Sequence, residues 1–208
     1  KTHGIEIENY KNDLPLKKGL SSSASLCVTV AKAFNQLYQL SLNAEGIMDR
    51  AYQGEIKTPS RCGRLDQACA FNSPVFMVFD GDKPPRTHPI NVKKPLYFVI
   101  VDLHRQKDTP KILRDLNKGF PFPSTEDERL KQKYLGTINK DIVEHARQAI
   151  EKGDTKEIGR LMTYAQEQFD RYLAPSCPEQ LGENGSPKLH SLLRNPEIQR
   201  YIYGGKGV

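Results

Sequence analysis

The chain has 208 residues, 37% hydrophobic and 27% charged, enough to bury a globular core without help from disulfides or a structural metal. Lys and Arg number 31 against 25 Asp and Glu, a charge of +6 scattered along the sequence with only short pairs at Lys17-Lys18 and Lys93-Lys94, so a nucleic-acid patch is not expected. No apolar stretch approaches the length of a membrane span. Cys27, Cys62, Cys69 and Cys177 form no C-x-x-C pair and no secretory signal precedes them, which predicts reduced thiols and no zinc site; with no membrane-length apolar stretch, a cytoplasmic protein with no membrane partner is expected.

Residues 1–14 place Ile5 and Ile7 ahead of a polar Asn-Tyr-Lys-Asn-Asp stretch and are read as the end of a strand and a turn. A loop of small residues follows and feeds a helix from Ser23, in which Leu26, Val30, Ala33, Leu37 and Leu40 fall at helical spacing and are expected to be the buried stripe. Asn43 caps a second helix to about Gly54, with Ile47 and Ala51 facing inward. A loop holding Pro59, Ser60 and Gly63 leads to a short helical turn from Asp66 to Phe71. Residues 75–79 and 96–101 are rich in β-branched and aromatic side chains, and predict strands in one sheet.

After Asp102 the pattern is helical. Thr109-Pro110 reads as a cap followed by a proline at the first helical position. Beyond the Phe120-Pro121-Phe122-Pro123 break a charged helix starts after Ser124, and Ile138, Ile142, Ala146 and Ala149 mark the next, closed by Gly153. Asp154 with Glu157 forms a capping-box pattern opening a helix with Ile158, Leu161, Met162, Ala165, Phe169 and Tyr172 at core spacing. Ser186-Pro187 starts a short helix to Arg194, and residues 200–203 are expected to be a strand entering the turn Gly204-Gly205-Lys206-Gly207-Val208. The order is β/α up to about residue 104 and mostly helical afterwards, an α+β chain. Its start at Lys1 and its final glycine-rich turn read as those of a piece of a longer protein.

The stretch Pro15-Leu16-Lys17-Lys18-Gly19-Leu20-Ser21-Ser22-Ser23-Ala24-Ser25 carries the chemistry. The first turn of a helix leaves backbone N–H groups without intrahelical partners and bears the positive end of the helix dipole, which suits an anion such as a phosphate. Gly19 permits close backbone approach, and the serine hydroxyls add donors or reach a metal. One serine is enough to cap a helix; three in a row after Gly-Leu favour phosphate binding. The loop is not a Walker A loop, since G-x-x-x-x-G-K-[ST] is missing.

The run P-x-x-x-G-L-S-S-S-A-S resembles the second conserved motif of the GHMP small-molecule kinases, in its galactokinase form. A second likeness is Cys62-Gly63-Arg64-Leu65-Asp66-Gln67, which resembles the C-G-x-M-D-Q segment of galactokinases. A third is the Gly153-Asp154 turn, long helix and Ser176-Cys177-Pro178-Glu179 loop in galactokinase order. Gly204-Gly205-Lys206-Gly207 looks like the start of the third glycine-rich motif. The resemblance implies an ATP-binding N-terminal domain of the ribosomal protein S5 domain 2 type over 1–104 and a ferredoxin-like C-terminal domain over 105–208, each incomplete.

It also implies ATP and Mg²⁺ as cofactors, with the backbone of Gly19, Leu20, Ser21, Ser22, Ser23, Ala24 and Ser25 at the phosphates. Ser23 and Glu55 would hold magnesium, with Ser22 the alternative to Ser23, and Asp66 would be the base. Each has a plainer reading: Glu55 as a solvated helix-end carboxylate, Asp66 as a cap, and Arg61 and Arg64 as surface charges rather than partners of Asp66. The implied activity is transfer of the γ-phosphoryl group of Mg-ATP to a hydroxyl of a small metabolite, a sugar first. A mevalonate- or phosphomevalonate-type kinase and a catalytically silent sugar- or nucleotide-binding sensor of the same fold are the competing readings. The first motif of the superfamily has no counterpart here, so the 208-residue chain alone is expected to be weakly active or inactive.

Overall fold

A computed structural model of the chain describes residues 4–14, 19–58, 63–81, 83–105 and 108–207. Pro15, Lys17, Lys18, Pro59, Ser60, Arg61, Cys62 and Val208, which figure in the sequence reading, lie outside the described residues. The chain forms two compact units, one ending at Pro89 and the other beginning at Ile90. Among the described residues the architecture is mostly helical, with one two-stranded antiparallel sheet.

In the first unit, α1 (Ser22–Leu37) packs on α2 (Ala44–Glu55). Asn35 fixes the turn between them: its amide nitrogen donates to the Leu42 carbonyl at 3.1 Å and its oxygen accepts from the Leu42 N–H at 2.9 Å. Asn43 caps α2 as expected, accepting from the Gly46 N–H at 2.9 Å. A six-residue 3-10 turn (Asp66–Phe71) then closes over both helices. The core holds Val28, Ile47, Met48, Ala51 and Ala70, with Cys27, Ala31, Leu42, Phe71 and Met77 packed against it.

The buried face of α1 is not the one expected. Ala24 and Val28 are inside with Cys27 and Ala31 beside them, whereas Leu26 and Ala33 are exposed, as are Leu37, at 58%, and Leu40 past the helix end. Two apolar stripes run along this helix roughly two residues out of phase, about 200° of rotation, and periodicity alone does not say which meets α2.

The strand β1 (Val75–Val78) forms within the expected 75–79 run, but its partner is β2 (Arg86–Pro89), with Val75 opposite Pro89 and Val78 opposite Arg86. Residues 96–101 form no strand; residues 97–101 are exposed, Tyr97 to 90%. High strand propensity reports fit to a pleated, half-buried surface, and no described strand pairs with this run. Residues 4–14 and 200–203 are likewise not strands.

The second unit contains helices alone among its described regular elements: α3 (Thr109–Leu116), α4 (Glu126–Lys133), a π-helical segment (Tyr134–Ile138) running into α5 (Asn139–Lys152), and α6 (Thr155–Tyr172). A 3-10 turn (Ala174–Ser176) and the short α7 (Gly182–Gly185), α8 (Pro187–Leu193) and α9 (Pro196–Gln199) follow. The cap of α3 is Asp108, one residue before the expected Thr109, because its carboxylate reaches the Lys111 N–H at 3.0 Å. Thr125 and Glu128 make a reciprocal capping box on α4. Gly153, at φ 68°, ends α5 in the left-handed conformation. Asp154 caps α6, while Glu157 turns outward to Arg160 instead of completing the box.

Ala149, Ile158 and Leu161 form one small core of this unit, and Ile112, Ala174, Cys177 and Leu181 another. Buried Lys131 donates to the Asp115 and Lys118 carbonyls at 3.1 Å each, which satisfies the C-terminal end of α3.

The final glycine-rich segment lies along α6. Gly204 packs against Gly159 so closely that a Cβ would collide with the Gly159 carbonyl. Gly205 donates its N–H to Thr163 Oγ1 at 3.3 Å, and Gly207 donates to Gln166 Oε1 at 2.8 Å.

Candidate active site

The start of α1 is built from left-handed backbone. Gly19 has φ 77°, and Ser21, at the cap position, has φ 54° and ψ 35°. Ser21 therefore makes no side-chain cap bond; its hydroxyl instead donates to Asp66 Oδ1 at 2.9 Å. The capping explanation of the serines fails at this residue.

Two residues on, the Ser23 hydroxyl donates to Glu55 Oε1 at 2.7 Å. Glu55 ends α2 and is fully buried at 0% exposure, so the reading of it as a solvated carboxylate is corrected. Its second oxygen accepts from Gln67 Nε2 at 2.6 Å. A buried charge needs such partners, because removing it from water is costly. It is Ser23 that meets Glu55.

Asp66 opens the 3-10 turn, half-buried, and is tied to α1 through Ser21. Arg64 does not act as its neutralising partner: the guanidinium lies over the Tyr52 ring, 4.5 Å from its centre, with Nη1 buried and unpaired. Arg61 and Cys62 lie outside the described residues. Tyr52 and Arg64 line a small cavity with Glu45, Asp49, Met48 and two prolines.

The structure thus brings Ser21, Ser23, Glu55 and Asp66 into one constellation made by the start of α1, the end of α2 and the 3-10 turn. Sequence reasoning missed Gln67 as part of it. The residue stands in the same C-G-R-L-D-Q run, but an amide without charge or nucleophile gave no reason to single it out.

The donor set fits a hard divalent cation of the magnesium type. Ser23 Oγ, Glu55 and the buried Gln67 Oε1, which has no partner among the described residues, are all oxygens, and no nitrogen base or thiolate competes within the set.

A second cluster, Asp115, Cys177 and Glu179, gathers three ligand-type atoms within 4.8 Å in the other unit. It already has its cations. Lys118 is 2.9 Å from Asp115, and Lys111 pairs with both Asp115 and Glu179. Lys118, then Lys111, hold the Asp115 carboxyl down to about 2 against the opposing effect of burial. Burial raises the Cys177 thiol, so it stays protonated and unreactive.

Residues 1–73 match the family described as the GHMP kinases N terminal domain. The chain is 29% identical over 204 residues to a galactokinase of Thermococcus kodakarensis, covering 85% of this chain and 57% of that protein. It is 27% identical over 191 residues to a galactokinase of Pyrococcus furiosus, covering 80% and 53%. Among solved structures it resembles L. major mevalonate kinase in complex with R-mevalonate, with TM-score 0.65 and 25% identity, covering 90% of this chain and 54% of that one. The chain spans about half the length of each of these relatives. No helix among the described residues is long and apolar enough to cross a membrane.

Proposed function

Because the chain belongs to the GHMP kinase superfamily, we propose that it forms the nucleotide-handling part of an ATP-dependent kinase that phosphorylates a hydroxyl of a small metabolite, most simply a sugar. One observation carries this reading. Two serines of a single helix start each hold a carboxylate from far along the chain, Ser21 with Asp66 and Ser23 with Glu55. Phosphoryl transfer needs a phosphate cradle, a cation and a proton acceptor together, and this constellation supplies a candidate for each.

In this reading the backbone of residues 19–25 wraps the nucleotide phosphates, with the Ser25 N–H itself bonded to the Ser21 carbonyl at 2.9 Å. Ser23 and Glu55 hold Mg²⁺, which when bound neutralises charge developing on the phosphate oxygens. Asp66 takes the proton of the attacking hydroxyl as its oxygen bonds to phosphorus and the bond to the ADP oxygen breaks. Ser21, donating to Oδ1 at 2.9 Å, keeps Asp66 from turning away. Residues 1–104 are taken as part of an S5-domain-2-like ATP-binding domain and residues 105–208 as part of a ferredoxin-like domain, in a cytoplasmic enzyme.

A mevalonate-type acceptor is the second reading, supported by the likeness to L. major mevalonate kinase. Galactokinase-like serine and C-G-R-L-D-Q motifs, together with the two galactokinase relatives, favour the sugar. Replacing Asp66→Asn tests the assignment of the base. Turnover should fall ~10²-fold or more while Mg-ATP binding, read by calorimetry, persists. Full activity in that variant would remove Asp66 from the mechanism.

A further inference from the structure

On the reading of the site proposed above, the structure assigns a further positioning residue, Gln67, which orients Glu55 toward the cation and offers its own carbonyl to the cation's water. Gln67 is fully buried, at 0% exposure. Its amide orientation follows from chemistry: a carboxylate only accepts, so the nitrogen must face Glu55 Oε2, 2.6 Å away, and Oε1 must point elsewhere.

Oε1 is then a buried acceptor with no partner among the described residues. Such a group is costly to leave unpaired, and its placement beside the Ser23–Glu55 pair indicates what supplies the donor. Magnesium dehydrates reluctantly and keeps several waters, and each of those waters has protons to donate. Ser23 donates to one Glu55 oxygen and Gln67 to the other. Ser23 and Gln67 together lock the carboxylate from both sides, so it does not swing when the cation arrives.

Partners that orient a ligand in this way typically contribute a factor of about 10–100 in metal affinity. The test uses protein expressed from the complete reading frame, Mn²⁺ as the probe and a non-hydrolysable ATP analogue, with free Mn²⁺ read by electron paramagnetic resonance. Gln67→Met preserves length and removes both hydrogen-bonding groups. Gln67→Asn withdraws the amide by one methylene and serves if the Met variant does not fold.

The Mn²⁺ dissociation constant should rise about 10-fold or more, while analogue binding in EDTA stays within about twofold. Unchanged Mn²⁺ affinity in a folded variant, a parallel loss of metal-free binding, or failure of both variants to fold would make Gln67 a core residue only and overturn the inference. Glu55→Gln separates the two levels. If wild type and Glu55→Gln bind Mn²⁺ alike, the reading of the site itself falls.

Discussion

His190 is buried with both ring nitrogens against acceptors, Nδ1 at 2.9 Å from the Ser186 carbonyl and Nε2 at 2.8 Å from Asp170 Oδ2. A neutral imidazole has one donor only, so this geometry suits the doubly protonated ring. Burial opposes the charge, but the Ser186 carbonyl and Asp170 outweigh it and raise the pKa above its ordinary value, with Arg194 opposing weakly. Tyr134 also faces Asp170, and Arg194 is itself paired with Glu183. A raised folded pKa contributes stability that is complete below the unfolded value of about 6.5 and is lost as pH rises through the folded value. Urea stability should therefore decline from pH 6 to 9 in wild type, and Asp170→Asn should flatten that decline. Equal slopes in the two proteins would contradict the account.

Among the elements, those closed by local chemistry were the legible ones. Asn43, Gly153 and Asp154 each satisfy backbone groups within a few residues of themselves, and such signals are present in any short window of sequence. Residues 96–101 and α1 show the opposite case. Whether an apolar run becomes a strand, or which of two apolar stripes is buried, depends on a partner distant in sequence. The same holds for the site. The glycine-serine loop and the carboxylates were readable from motif resemblance, but the 2.7 Å contact between Ser23 and Glu55, 32 residues apart, was not. A paired substitution checks the assigned face of α1. Val28→Ala, in the core with Met48, should cost about 1–3 kcal/mol, whereas Leu37→Ala should stay within about 0.5 kcal/mol. Equal costs by chemical denaturation would mean that α1 packs through its other stripe.

At the scale of the whole molecule, the constellation lies entirely within the first unit, while the glycine-rich segment is held on α6 of the second. Gly204→Ala would place a methyl group against the Gly159 carbonyl and should release that segment. Faster amide exchange at Gly205 and Gly207, with α5 unchanged, is the expected result, and unchanged protection would contradict the docking described.

The central claim is that the first unit forms a phosphoryl-transfer site, and ADP release tests it most directly. The protein expressed from its complete reading frame would be given Mg-ATP and a panel of hexoses, pentoses, uronic acids, mevalonate and homoserine, alongside Asp66→Asn. The account predicts ADP and a phosphomonoester with one acceptor, a sugar first, and loss of both in the variant. ATP bound without turnover on any acceptor would contradict it and favour a sensor that kept the fold without the chemistry.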